Sequence, residues 1–207
     1  MKQWSHLFRP FLTLALILTL FFPSKALFAK SVTVEGTYHQ TDARKMKSMI
    51  NSFRTGKEAW YYKKEGSNKK VRVKKLKKLK YDYKLEKVAM QRAAEISRLF
   101  SHTRPDKTSC FTAYPKGFKW KGENIAMGTD YMMTTEFTMN LWKETNESYN
   151  GQGHRRNMLH KSFTCVGVAC FECDGMKYWV QEFGSPHIGK KKTSAVNKMK
   201  SVKVKVK

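Results

Sequence analysis

The chain has 207 residues, 41% of them hydrophobic and 28% charged, which suits one globular domain with room for a real core. Lysine and arginine number 41 against 16 aspartates and glutamates, a formal charge of +25, so an anionic partner or surface is implied. Nucleic acid, anionic cell-envelope polymers and acidic lipids all answer that description, each within a screening length of about 8 Å at physiological salt.

The first residues choose among these. Residues 1–9 are a short basic lead, residues 11–22 an apolar run interrupted only by Thr13 and Thr19, and Pro23 closes it. Small residues follow at Ser24, Ala26 and Ala29. This is the pattern of a secretory signal over residues 1–26, with Ala29 as a second cleavage position. The run falls short of the ~20 residues that a spanning helix needs, so cleavage is favoured over an anchor. No later segment could cross a membrane, and export weakens the case for nucleic acid.

Residues 27–37 read as a leader with little pattern beyond an edge strand at Val32-Thr33-Val34. Thr41 is placed to cap an amphipathic helix in which Ala43, Met46, Met49, Ile50 and Phe53 recur at three and four, with Asp42 in its first turn and Gly56 at its end. Trp60-Tyr61-Tyr62 precedes a lysine-dense stretch, residues 63–80. That stretch reads equally as a polyanion site or as a solvated face. Its aromatics flank the lysines instead of alternating with them, a poor match to modules that stack single-stranded bases.

Asp82 caps the strongest helix of the chain. Leu85, Val88, Ala89, Ala93, Ile96 and Phe100 share one face, while Lys84, Glu86, Lys87, Gln91 and Glu95 largely face water. His102 follows just past the last turn, and Pro105 forbids further helix. Residues 106–122 are irregular, and Glu123-Asn124-Ile125 follows Gly122 as a loop. Thr134 or Thr135 starts a third helix, with Phe137 and Leu141 inward and Trp142 as an anchor; Gly151 and Gly153 break it and deliver His154. Residues 163–170 and 176–183 are strands joined by an Asp174-Gly175 hairpin turn. Residues 188–207 read as a basic, disordered tail, although residues 202–207 alternate valine with lysine as an edge strand would.

Cys110, Cys165, Cys170 and Cys173 are an even set in an exported chain, so one or two disulfides are expected. A local Cys170–Cys173 bridge pinning a turn, with Cys110 near Cys165, is the favoured arrangement; free thiols are the alternative. His102, His154 and Glu123 carry the chemistry that neutral imidazoles and carboxylates offer to zinc and similar metals. No compact ligand signature joins them, and hydrogen-bonded histidines that hold loops together are the plainer reading of the spacing alone.

The stretches Leu79-Lys80-Tyr81-Asp82-Tyr83 into the following helix, His102-Thr103-Arg104-Pro105, Gly122-Glu123-Asn124-Ile125-Ala126, Gly153-His154-Arg155-Arg156-Asn157-Met158 and Trp179-Val180-Gln181-Glu182-Phe183-Gly184 together resemble the bacterial SCP branch of the CAP superfamily, which joins cysteine-rich secretory proteins, antigen 5 and pathogenesis-related 1 proteins. The resemblance covers roughly residues 38–184, within a domain placed at residues 38–187. It implies an α+β fold, a three-layer α-β-α sandwich with a central antiparallel sheet, and a cleft holding two histidines and two acidic groups. Carried over, the first histidine is His102, the glutamate of the ENI motif is Glu123, and the second histidine is His154. Counting from Trp142, the fourth position falls on Thr145, with Glu144 and Glu147 as neighbouring substitutes. Arg104, Asn124, Asn157 and Gln181 lie in the same motifs as supporting residues.

Three functions follow as expectations. The first is a secreted, cell-wall-associated domain that binds a divalent metal such as zinc, together with an anionic wall polymer, a lipid or a secreted protein, without catalysis. The second is a metal-dependent hydrolase using Glu123, His102 and His154. The third is a purely structural cationic module in which the histidine–carboxylate bonds are scaffold.

Overall fold

The computed structural model describes residues 30–207; the signal expected over residues 1–26 and the start of the leader lie outside the described residues. Strand β1 (Lys30–Tyr38) leads into helix α1 (Gln40–Thr55), whose Ala43, Met46, Ile50 and Phe53 are buried at helical spacing. Gly56 ends it, its N–H donating to the Phe53 carbonyl. Short strands β2 (Trp60–Tyr62) and β3 (Lys70–Arg72) pair as a small separate hairpin. β4 (Lys80–Tyr81) then enters helix α2 (Tyr83–Ile96), where the Asp82 carboxylate accepts from the N–H groups of Lys84 and Leu85 as an N-cap. A 3-10 turn (Cys110–Ala113), strand β5 (Trp120–Thr129) and helices α3 (Thr135–Lys143) and α4 (Gly153–Met158) follow. The chain closes with β6 (Cys165–Cys173), β7 (Met176–Ser185) and β8 (Met199–Val206).

The main sheet runs β5-β7-β6-β1-β8, antiparallel throughout, and the two-residue β4 adds a short parallel pairing to β6. β6 and β7 meet at Asp174-Gly175, both at positive φ (52° and 69°) as a tight hairpin turn requires. Because strand side chains alternate, β6 sends Val166, Val168 and Cys170 into one core with α1, α3 and α4, and Ala169 and Phe171 into a second core with α2. Helices therefore cover both faces, which is the three-layer α-β-α sandwich. Gly167 lets α2 lie directly on the sheet, since a Cβ there would sit 2.2 Å from the Glu86 nitrogen. No helix among the described residues is long and apolar enough to cross a membrane.

Several expectations need correction. Residues 199–206 are not disordered tail: β8 pairs with β1 from Lys30↔Val206 to Thr37↔Met199, and its alternation buries Val204 while the lysines face out. The segment before it also caps α1. Asn197 accepts from the Thr41 N–H (2.9 Å) and donates to its hydroxyl (2.6 Å), so Thr41 is a capped residue inside the helix and not its cap. The four cysteines are free. Cys170 and Cys173 are three residues apart on one strand and so point to opposite faces, Cys170 into the α1 core and Cys173 against the α2 core. On α2, Glu86 and Glu95 are buried in ion pairs, and Phe100 is 43% exposed because the helix already ends at Ile96. On α3 the inward set is Thr135, Thr138, Met139 and Trp142, which leaves Phe137 and Leu141 on the outer face.

Candidate functional site

Glu123 and Asn124 are not in a loop. They sit inside β5, one of the two edge strands of the sheet, and the two-residue period sends them to opposite faces. Everything else at the site is arranged around that split.

On the α2 face, Arg92 donates to both Glu123 oxygens (Nε to Oε2 2.7 Å, Nη2 to Oε1 3.3 Å), to Glu95 (2.8 Å) and to the Ser101 carbonyl (2.7 Å). Glu95 also holds Arg104 through two bonds of 2.9 and 2.6 Å. The Ser101 contact fixes the segment that carries His102, whose Nδ1 donates to Glu123 Oε1 at 2.8 Å. The His102 side chain is 57% exposed over a carboxylate that is 1% exposed. Burial alone would raise Glu123, but the hydrogen bonds from His102 and Arg92 and the Arg92 charge outweigh it and hold the carboxylate down at about 2. Glu182, directly across the strand pair from Glu123, goes the other way. Burial, then the Glu123 charge, pushes it well above the ordinary carboxylate range, and it accepts from the Tyr114 hydroxyl at 2.6 Å. Cys110 completes this half: its sulfur, a His102 nitrogen and a Glu123 oxygen lie within 4.8 Å of one another. Burial pushes the thiol up to about 12, so it keeps its proton.

On the other face, α3 ends at Glu144, whose left-handed conformation (φ 44°) turns its carboxylate back toward α4. One oxygen accepts from His154 Nδ1 and the other from the Arg155 N–H at 3.0 Å. The buried Arg155 side chain ties the same corner together by donating to the Trp60, Lys143 and Glu58 carbonyls. His154 is 34% exposed and Glu144 9%.

The two halves are joined through the strand. Asn124 donates to the His154 carbonyl (3.2 Å) and to Gln181 (2.9 Å). Asn157 donates to the Glu123 carbonyl (3.1 Å) and to Asn124 (2.9 Å). Adjacent residues of one edge strand thus hold the two imidazole-bearing segments. Each imidazole directs Nδ1 at a carboxylate and leaves Nε2 without a protein partner among the described residues. His154 lies outside the tight group of His102, Cys110 and Glu123.

Of the candidates for the fourth position, Glu144 is the one bonded to a histidine; Thr145 and Glu147 are exposed and reach neither imidazole. Arg104 supports the site at one remove through Glu95, and Asn124, Asn157 and Gln181 form the brace. Sequence reasoning missed Arg92, Glu95, Glu182, Tyr114 and Cys110. Two of them left a signal. Arg92 falls within the apolar stripe of Leu85, Val88, Ala89 and Ile96, and Glu182 shares a strand face with Val180. A charge at an inward position needs a buried partner.

Comparison with known proteins gives the family and the fold. The model of the CAP family, described as the cysteine-rich secretory protein family, matches residues 47–183. The uncharacterized protein YkwD of Bacillus subtilis (strain 168) is 32% identical over 113 residues, which is 52% of this chain and 40% of that protein. The chain thus spans well under half the length of that relative. Among solved structures, NaASP2 with Zn2+ superposes with a TM-score of 0.53 at 23% identity, covering 78% of this chain and 87% of that one. An outer surface protein from Borrelia burgdorferi gives 0.51 at 21% identity, covering 70% of this chain and 92% of that one. At these identities the two structures speak for the fold.

Proposed function

Because the chain belongs to the bacterial branch of the cysteine-rich secretory protein (CAP) family, we propose that it is a secreted, envelope-facing binding domain whose His102 and His154 take a divalent cation such as zinc. The observation that carries this reading is the orientation of the imidazoles. Each gives Nδ1 to a carboxylate, Glu123 for His102 and Glu144 for His154, and each is partly exposed. A carboxylate behind Nδ1 fixes the tautomer that presents Nε2 as a lone-pair donor and makes that nitrogen more basic, the usual support behind a histidine ligand. His102 and His154 would hold the ion; Glu123 and Glu144 would orient them. A bound ion would supply Lewis-acid attraction for an oxygen-bearing ligand. That NaASP2 has been solved with Zn2+ is in keeping with such a site.

The same geometry favours binding over hydrolysis. A general base must be free to take a proton near neutral pH. Glu123 already accepts from His102 and Arg92, is nearly sealed from solvent, and is held far down the pH scale.

Zinc titration of the purified chain, read by calorimetry and by thermal melting, tests the reading. One equivalent should bind and raise the melting temperature, by a free energy of about 2.7 kcal/mol at a hundredfold excess over Kd. The His102→Ala/His154→Ala variant should lose both effects. No stoichiometric zinc and no shift would leave the two imidazole–carboxylate pairs as scaffold.

A further inference from the structure

The lysine-rich stretch after α1 is ordered, and it lines two adjoining grooves. Its apolar residues turn inward: Val73 N–H donates to the Ala59 carbonyl (2.8 Å), and the Leu79 N–H and carbonyl are both bonded by Asn51 (2.7 and 3.0 Å). The lysines between are therefore presented from a fixed backbone. One groove, about 350 Å³, is lined by Lys57, Arg72, Lys74 and Lys75. The other, about 430 Å³, is lined by Lys63, Arg156 and Lys161 with Tyr61 and His160. Val73 lines both, and Arg54 crosses from the first to donate to the His160 carbonyl at 3.2 Å.

Neither lining includes a carboxylate. Among the described residues, none of the lining lysines and arginines has an acidic partner within 4.0 Å, and residues 1–29 contain no aspartate or glutamate. Cations gathered in a concave surface without counter-charge repel one another and favour a multivalent anion. Two of the nearby aromatic faces, Trp60 and Tyr149, are already taken by cations, which leaves Tyr61 as the lining tyrosine without one. Arg155 and Lys70 each lie 4.0 Å from the Trp60 ring, and Arg156 lies 4.5 Å from Tyr149. Bases would find little to stack on.

We propose that these joined grooves are a binding surface for a flexible phosphodiester polymer without bases, of the polyol-phosphate class. The linings include neither His102 nor His154, and the surface does not depend on their metal. Lysine suits such a chain because it meets phosphate as a mobile point charge, without demanding bidentate geometry.

The test is binding of poly(glycerol phosphate) to the full chain at low and at physiological salt, beside an oligothymidylate with the same number of phosphates. The polymer should bind with an affinity that falls steeply with salt. A Lys63→Glu/Lys74→Glu/Lys161→Glu variant should bind about tenfold more weakly or worse, whereas Lys200→Glu/Lys203→Glu/Lys205→Glu on β8, the same change in net charge, should cost less than about threefold. A Lys63→Gln/Lys74→Gln/Lys161→Gln variant repeats the comparison should charge reversal impair folding. In the unmodified chain, NMR titration of His160 gives a second readout. Burial, then Arg54 and Lys161, hold that imidazole below its ordinary range, and a bound polyanion should move it up. Equal losses in the two triples, or an unmoved His160 at saturation, would overturn the site. Tighter binding of the oligothymidylate, with competition, would replace the polymer by nucleic acid. Retention of polymer binding by His102→Ala/His154→Ala separates this result from that of the metal cleft.

Discussion

The two imidazole–carboxylate pairs look alike in outline and are built on different foundations. Glu123 is held by a buried guanidinium that also serves Glu95 and the Ser101 carbonyl, so its half of the cleft is a charge network fixed in the α2 core. Glu144 is held by a left-handed turn at the end of α3 and one backbone N–H, so its half is a feature of chain geometry near the surface. The first half should therefore couple to folding and the second chiefly to ligand binding.

The largest effect that would break this contrast comes from Arg92→Met. It removes the buried guanidinium shared by Glu123 and Glu95, leaving them only His102 and Arg104, and should cost about 3–5 kcal/mol, measured by urea unfolding at neutral pH. Glu144→Gln should cost far less stability, about 1 kcal/mol, while weakening zinc binding about 10- to 100-fold in a calorimetric titration. If the two variants were equally destabilised, the distinction between the halves would fail.

Acid sharpens the same contrast. Burial opposes ionisation of Glu95 and Glu123, but their arginine and histidine partners win and place both below the ordinary 4.5. Their contribution is present above that value and is lost as pH falls below about 4.5, for Glu123 toward about 2, because the unfolded chain then binds more protons than the folded one. Glu182 has the opposite sign. Raised in the folded state, it contributes most below its unfolded value and loses that contribution as pH rises. Glu182→Gln keeps an acceptor for Tyr114 and removes the burden of proton uptake. It should raise the urea midpoint at pH 7, with the gain shrinking below about pH 4.5. The smallest expected effect is from Glu147→Ala, exposed and bonded to neither histidine: within about 0.5 kcal/mol in stability, and with unchanged zinc affinity.

Much of this molecule was legible from local rules. Asp82 before a 3.6-residue apolar stripe announced α2, Asp174-Gly175 between two apolar runs announced the β6–β7 hairpin, and Gly56 marked the end of α1. The motifs around His102, Glu123 and His154 brought forward two histidines that the fold pairs with carboxylates. Two kinds of error share one cause, which is that a residue's partners are set by the other elements. Residues 202–206 alternate like a strand, but only β1 lying open beside them makes that strand form. Glu95 looked solvated because a helix face cannot reveal that Arg104, nine residues on, folds back over it.

By itself the sequence determined α1, α2, the start of α3, the β6–β7 hairpin and the set of polar residues from which a site could be made, because caps, turns and apolar periods act over a few neighbouring positions. The tertiary structure decided which carboxylate meets which imidazole. Placing Glu123 and Asn124 inside the edge strand sends one to each face, and the αL turn at Glu144 selects it over Thr145 and Glu147. Packing likewise buried Glu182 beside Glu123 and raised it above the ordinary carboxylate range, since burial and long-range pairing are properties of the assembled layers and not of any short stretch.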